Sequence, residues 1–381
     1  MYIKAEILDF INRNSKNEYD SFYVYDSQKI REHCRAFKSI TYKNKSIHFA
    51  SMANVNPQFL NIVKEEYLNI FVNSVMHMEM AYKSGFRADE IIFTSSALSC
   101  EVMKKAESYG VQINADSPNQ LMQWMKLFPD KPIGIRCNIG DAVKPYSNHA
   151  GSFIGNNSRL GFTIREIRDI PDKSKVKGFH LYVGTDIFDI NYFIDCYKEL
   201  IALTEDFPEL EYLNFGGGFG VSENGDEKFD FGQYNTRVSE LMQDISHKKG
   251  KSIKLILEPG RIIGGEAGYF VCYVSDIKDR KEMQFVGVNA STVQFSRPLL
   301  YADIADHPVM VIRGGTPIQT DDKRATTIYG CSTYSRDIFS NNIELPELQT
   351  GDTIVFGNAG SYCASSYMQF LGFRKPEEFF V

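Results

Sequence analysis

Short apolar runs alternate with longer amphipathic stretches along the first two thirds of the chain. Ala5 to Arg13 reads as a short amphipathic helix, and SFYVYD (Ser21 to Asp26) as an aromatic strand followed by a helix from about Ser27. Eight further strand candidates follow: IHFAS from Ile47, NIFVNS from Asn69, EIIFTS from Glu90, GVQINADS from Gly110, IGIRCNI from Ile133, GFHLYVG from Gly178, YLNFGGG from Tyr212 and KLILEPG from Lys254. Helical patterns such as Pro57 to Tyr67, Cys100 to Tyr109 and Ile190 to Phe207 separate most of them. That alternation predicts a parallel (β/α)₈ barrel with its helices outside. After Gly260 the pattern changes. YFVCYVSDIKDR, QFVGVNA, HPVMVIRG and DTIVFGNAG are strands without long helices between them, which predicts an antiparallel β-domain. The expected architecture is therefore an α/β chain with a TIM barrel over residues 27–265. A C-terminal β-domain of residues 266–381 also takes residues 1–26 and their strand.

Composition narrows the partner. A chain of 381 residues with 43% hydrophobic positions can bury a large core. Its net charge of −6 argues against a nucleic-acid partner, which needs a basic face, so a small-molecule ligand is expected. The seven cysteines are scattered, with no C-x-x-C pair, which argues against a zinc site or a disulfide framework and for reduced thiols in a cytoplasm. There is no apolar signal core at the N-terminus and no run long enough to cross a membrane.

Three segments could carry chemistry. NFGGGFG (Asn214 to Gly220) follows an apolar strand and precedes a helix. Its glycines let the backbone approach an anion and present several N–H groups to it, late in the barrel where phosphate sites are common. It reads equally as a tight βα turn. LEPGR (Leu257 to Arg261) ends the next strand, with a carboxylate and an arginine that could pair with the same phosphate; alone it reads as a strand-ending salt bridge. In HFASMANVNP a strand ending in small residues presents Met52 towards the barrel mouth, where a methionine by itself is core filler.

Taken together, these segments resemble the fold-type III pyridoxal-phosphate decarboxylases, a family with an alanine-racemase-like barrel that includes the diaminopimelate and ornithine decarboxylases. FYVYD, ASMANVNP, NSVMHME, IRCN, SRLGF, FHLYVGTD, NFGGGFG, LEPGR, SRPLLY, STYSRD and GSYCASSYMQFLGF each match a family segment, in order from Phe22 to Phe373. The resemblance implies pyridoxal 5'-phosphate as cofactor. It places Gly216, Gly217, Gly218 and Arg261 at the phosphate, with Tyr362 near it. Glu258 falls at the pyridine nitrogen, where a carboxylate keeps the ring protonated and able to accept electrons. Arg136 and Thr185 fall near the ring. Arg297 and Tyr301 match substrate-touching residues, although an arginine before proline equally braces a dimer. Asp337 matches an aspartate usually supplied across a homodimer interface.

The departures from the family pattern fall on the chemistry. Met52 stands where the family has the lysine that tethers the cofactor's aldehyde. Tyr182 replaces the histidine that stacks on the ring, and His77 replaces the glutamate supporting that histidine; a Tyr182–His77 hydrogen bond is the expected substitute. Thr333 takes the place of a catalytic cysteine, with Cys331 two residues away and Tyr334 at the glutamate position. A methionine has no nucleophilic nitrogen. Losing such a group commonly costs roughly 10² to 10⁴-fold in rate. Met52 is either an engineered replacement or the mark of a lineage that abandoned the covalent anchor, and the other departures favour descent. The sequence thus supports an amino-acid decarboxylase-like enzyme with impaired or absent activity if lysine is needed. The alternatives are a non-catalytic cofactor- or partner-binding homologue and a racemase, the latter disfavoured by the missing lysine. Ser147 to Phe162, rich in Gly and Asn, reads as a lid or as an ordinary surface loop. The isolated histidines His48 and His307 read as structural.

Overall fold

The computed structural model describes residues 1–14, 20–146, 153–222, 227–302, 304–305 and 307–381. Its contacts divide the chain into a barrel unit of residues 31–220 and 228–260 and a β-unit of residues 1–30, 221–227 and 261–381.

In the barrel unit eight strands close on themselves: β2 (Lys45–Ala50), β3 (Asn69–Val72), β4 (Ile91–Thr94), β5 (Gln112–Ala115), β6 (Ile133–Arg136), β7 (Val176–His180), β8 (Tyr212–Asn214) and β9 (Lys254–Leu257), with β1 (Phe22–Tyr25) belonging to the β-unit. Every neighbouring pair is parallel, and β9 returns to β2 with Lys45 opposite Leu255. The helices between strands start where their sequences supply caps. Ser74, Ser99 and Ser117 accept a backbone N–H three residues on, and Asn56 does so two residues on ahead of Pro57. Inside the barrel Ala50, Phe71, Ile92, Tyr212 and Ile256 form one apolar layer. Tyr212 fits because Gly134 and Gly178 have no side chain there; a Cβ on Gly178 would collide with its ring and one on Gly134 with its hydroxyl. Its hydroxyl donates to Asn114 Oδ1 at 2.7 Å, and Asn114 donates to Thr94 Oγ1 at 2.9 Å, so the buried polar atoms are satisfied.

The β-unit is one sheet in the order β13 (Thr316–Pro317), β12 (Val309–Arg313), β16 (Thr353–Phe356), β10 (Gly268–Arg280), β11 (Met283–Val288), β14 (Arg324–Tyr329), β15 (Ile338–Leu345), with β1 pairing both β10 and β17 (Glu377–Phe380). β1 joins β10 antiparallel, so the first strand does belong to this sheet, as expected. The sheet is mostly antiparallel, but β11–β14 and β1–β17 run parallel. The helix Ala5–Asn14 lays Ile7 and Ile11 against Phe22, Val24, Val271 and Val355. A barrel with a separate β-sheet is the architecture the pattern predicted. No helix among the described residues is long and apolar enough to cross a membrane.

Candidate active site

Side chains two apart on a strand share a face, and this places the candidates. Ala50 and Ile256 lie in the inner layer, which turns Met52 and Glu258, two residues on, towards the same interior. Met52 is half-buried and packs on that layer, with the Ser51 hydroxyl 3.8 Å from its sulfur. Ser51 also shares a hydrogen bond with His77 Nδ1 at 2.9 Å, so His77 bonds to Ser51 and not to Tyr182 as expected. The reason is local: Ser51 directly follows β2, whose neighbour β3 leads into the Val75–Lys83 helix that carries His77. Burial lowers the His77 imidazole from its ordinary value.

The glycine turn is laced between its neighbours. Phe215 donates to the Ile256 carbonyl, Glu258 donates to the Gly216 carbonyl, and Ile187 donates to the Gly218 carbonyl, at 2.7–2.9 Å. Phe215 stacks on Tyr197 with centroids 3.9 Å apart, and Phe219 sits among Phe37, Phe193 and Phe229, so the turn is pinned from outside by aromatic packing. Gly216 and Gly218 have φ of 64° and 103°. A Cβ at Gly216 would strike the Leu181 carbonyl and one at Gly217 the Glu258 carbonyl. The Gly216 and Gly218 carbonyls are thus engaged by neighbouring backbone amides. Gly216 donates to Asn214 Oδ1 at 2.9 Å, but the Gly217 and Gly218 amides have no acceptor among the described residues. Amides in such a turn demand an external acceptor, and consecutive ones with alternating backbone hand suit an anion.

Glu258 is buried, with Asn214 Nδ2 donating to Oε1 at 2.6 Å and His180 Nε2 lying 3.1 Å from Oε2. Burial pushes the carboxyl up, but His180 and Asn214 outweigh it and hold it below the ordinary glutamate range. An ionised carboxylate at this depth suits a cationic ligand group. Arg136, at the end of β6, lies 3.7 Å from Asp116, and burial lowers its guanidinium against the pull of Asp116 and Glu258. Tyr182 is half-buried, its ring edge-on to Phe153 with centroids 4.8 Å apart. Thr185 is half-buried beside Gly184 on the same turn. The segment expected as a lid is fastened where described: Gly155 and Asn138 exchange two hydrogen bonds, and Gly161 donates to Asp116. Residues 147–152 lie outside the described residues.

His180, Asn214 and Asp116 are the members that motif reading missed. A signal existed: in GFHLYVG the apolar Phe179 and Leu181 alternate with His180 and Tyr182, which puts the two polar rings on one face.

In the β-unit, Arg261 is buried in the turn Arg261–Gly264. Arg297 is buried with its guanidinium 3.3 Å from His307 Nε2, and His307 in turn bonds the Gly357 carbonyl. Tyr301 is exposed, as is Thr333; Cys331 is exposed too, with desolvation and Asp337 raising its thiol. Tyr362 has a left-handed φ of 57°, a strained conformation for a tyrosine. Asp337 is buried and accepts four hydrogen bonds, from the Thr292 amide and hydroxyl and the Ser332 amide and hydroxyl.

Residues 27–265 match the family model described as pyridoxal-dependent decarboxylase, pyridoxal binding domain. The chain belongs to this family. It is 28% identical over 379 residues to a diaminopimelate decarboxylase of Methanothermobacter thermautotrophicus, covering 94% of this chain and 86% of that one. It is 27% identical over 380 residues to the 2-[(L-alanin-3-ylcarbamoyl)methyl]-2-hydroxybutanedioate decarboxylase of Staphylococcus aureus, covering 93% and 92%. The fold matches a Helicobacter pylori diaminopimelate decarboxylase solved with L-lysine, at TM-score 0.84, 23% identity and 95% and 91% coverage. It also matches a Vibrio vulnificus lysine/ornithine decarboxylase solved with putrescine, at TM-score 0.84, 19% identity and 100% and 99% coverage. For a member of the pyridoxal-dependent decarboxylases, the open amides of the glycine turn fit a phosphate and the ionised Glu258 fits a protonated ring nitrogen.

Proposed function

We propose that this chain is a pyridoxal-phosphate-dependent amino-acid decarboxylase-like protein that holds its cofactor without a covalent tether, because Met52 stands in the lysine position. The observation that supports it most is the pair of amides at Gly217 and Gly218 without an acceptor among the described residues, joined through the Gly216 carbonyl to the ionised Glu258. The amides would hold the phosphate and Glu258 the ring nitrogen, with Arg136, Tyr182, His77 and Thr185 around the ring. Bound there, the cofactor supplies an electron sink for a bond broken beside a substrate's amino group. The roles of Arg261 and Tyr362 at phosphate, of Arg297 and Tyr301 at a small amino-acid substrate, and of Thr333 or Cys331 as proton donor rest on family resemblance; Asp337 matches a substrate position too, but its four donors from Thr292 and Ser332 favour a structural role. So do the homodimer and the cytoplasmic setting, which the seven free thiols suit.

A second reading, a non-catalytic holder of cofactor or partner, is favoured by one observation: Met52 joins an apolar layer, and no lysine is among the buried residues described. Titration with pyridoxal phosphate followed by absorbance tests both. The expected result is an absorption close to the free aldehyde, then a shifted band when diaminopimelate, ornithine or lysine is added. Carbon dioxide release favours the enzyme, and a band without it the holder. Absence of any binding ends the cofactor reading. Met52→Lys is expected to give a borohydride-reducible attachment, and sizing chromatography tests the dimer.

A further inference from the structure

The segment from Phe153 to Phe162 is tied to the barrel mouth through its backbone. Asn138 holds Gly155 by two hydrogen bonds, at 2.9 and 3.0 Å. Asp141 accepts from the Asn156 amide at 3.0 Å and from the Asn156 side chain. Phe162 donates to the Arg136 carbonyl and accepts from the Asn138 amide, both at 2.8 Å. Gly155 takes the left-handed φ of 93° that this turn requires, and Ile154 before it is buried. The residues that immediately follow Phe153 therefore fix where it stands. Its ring meets the Tyr182 ring at 88° with centroids 4.8 Å apart, a favoured edge-to-face arrangement. Tyr182 lies two residues beyond His180, the last residue of β7, and so on the same face. Its ring reaches the glycine turn: a Cβ placed on Gly217 would come 3.8 Å from Tyr182 Cε2. Two side-chain torsions set that ring, and the second is broad for a tyrosine, so a flanking contact narrows its orientation.

We infer that Phe153 is a positioning residue that acts through Tyr182, holding that ring against the glycine turn. The fastened backbone at residues 154–156 presents Phe153 for this purpose. A ligand held at the turn without a covalent bond gains from such order, because every contact group left to find its own geometry adds an entropic cost to binding. This inference rests on the cofactor reading above, since it takes pyridoxal phosphate as the ligand whose ring Tyr182 faces.

Two measurements on the full chain test it. In cofactor-free protein with labelled tyrosine and glycine, a nuclear Overhauser effect between the Tyr182 ring and the Gly217 α-protons should be present in the unaltered chain and lost in Phe153→Leu. An effect of unchanged intensity in Phe153→Leu overturns the proposal. The second measurement is the affinity for pyridoxal phosphate in single and paired variants. Phe153→Leu should weaken binding about fivefold, a difference of about 1 kcal/mol. Phe153→Tyr keeps the ring and should bind within about twofold of the unaltered chain. In a Tyr182→Leu background, Phe153→Leu should cause no further loss, because a residue that acts through Tyr182 has nothing left to act on. A second loss of the same size in that background overturns the proposal, since Phe153 then acts independently of Tyr182. Should Phe153→Leu fail to fold, Phe153→Met makes both comparisons with a side chain close in volume. If pyridoxal phosphate does not bind the unaltered chain, the cofactor reading fails while the Overhauser measurement still judges Phe153.

Discussion

Two buried carboxylates, Glu258 in the barrel unit and Asp337 in the β-unit, both match family positions that meet ligand, yet their surroundings differ. Glu258 takes one side-chain donor on each oxygen and sits beside a turn whose Gly217 and Gly218 amides have no acceptor among the described residues. Asp337 takes four donors from Thr292 and Ser332, which leaves a closed loop between β11 and β15. A carboxylate accepts about four hydrogen bonds. Asp337 is therefore spent on its own loop, while Glu258 retains capacity for something brought from outside. Matching a motif assigns both a role; counting donors separates a fold determinant from a binding group.

That contrast can be broken most sharply at Asp337. Asp337→Ala strands two amides and two hydroxyls and is expected to cost about 4 kcal/mol of stability, read by denaturant unfolding, with pyridoxal-phosphate affinity of the folded fraction unchanged. Lost affinity at unchanged stability would instead make Asp337 a ligand group. The next largest effect is on acid stability. His48, buried in the barrel, is held at about 4 against 6.5 when unfolded, a difference corresponding to roughly 3 kcal/mol. Because the folded value is the lower one, that stability is present above pH 6.5 and drains away as pH falls towards 4. His48→Gln should flatten that part of the stability–pH curve. Burial drives His307 of the β-unit well below its ordinary value as well, so the remaining acid loss should follow His307→Gln.

Gly216→Ala forces a side chain into a left-handed turn and against the Leu181 carbonyl. It should cost about 2–3 kcal/mol and weaken inorganic phosphate and cofactor binding together. The smallest effect is expected at Glu258→Gln, which keeps shape and removes charge. Pyridoxal-phosphate affinity should fall roughly thirtyfold, about 2 kcal/mol, with the melting temperature little altered. Equal affinity for the two proteins would place Glu258 with Asp337 as a structural group.

Much of this molecule can be read without coordinates. The eight apolar runs of the barrel, the glycine turn, LEPGR and the position of Met52 depend on local chemistry that repeats at strand and turn spacing. What motif reading passed over is equally specific. β15, IFSNNIEL, carries two asparagines and pairs only with β14, so a half-exposed edge offered little apolar signal. The His77 partner could not be chosen from sequence either, because Ser51 and Tyr182 are both chemically competent and only their distances differ.

The chain's own order of residues determined the alternation of strands and helices, the family, and the absence of an amine at position 52, since each follows from side-chain chemistry and spacing along one polymer. Which donors meet Glu258, which fill Asp337, and which glycine amides stay open were settled only by folding. Hydrogen bonds between residues 44 to 78 positions apart depend on distances of tenths of an ångström, and no linear pattern encodes those.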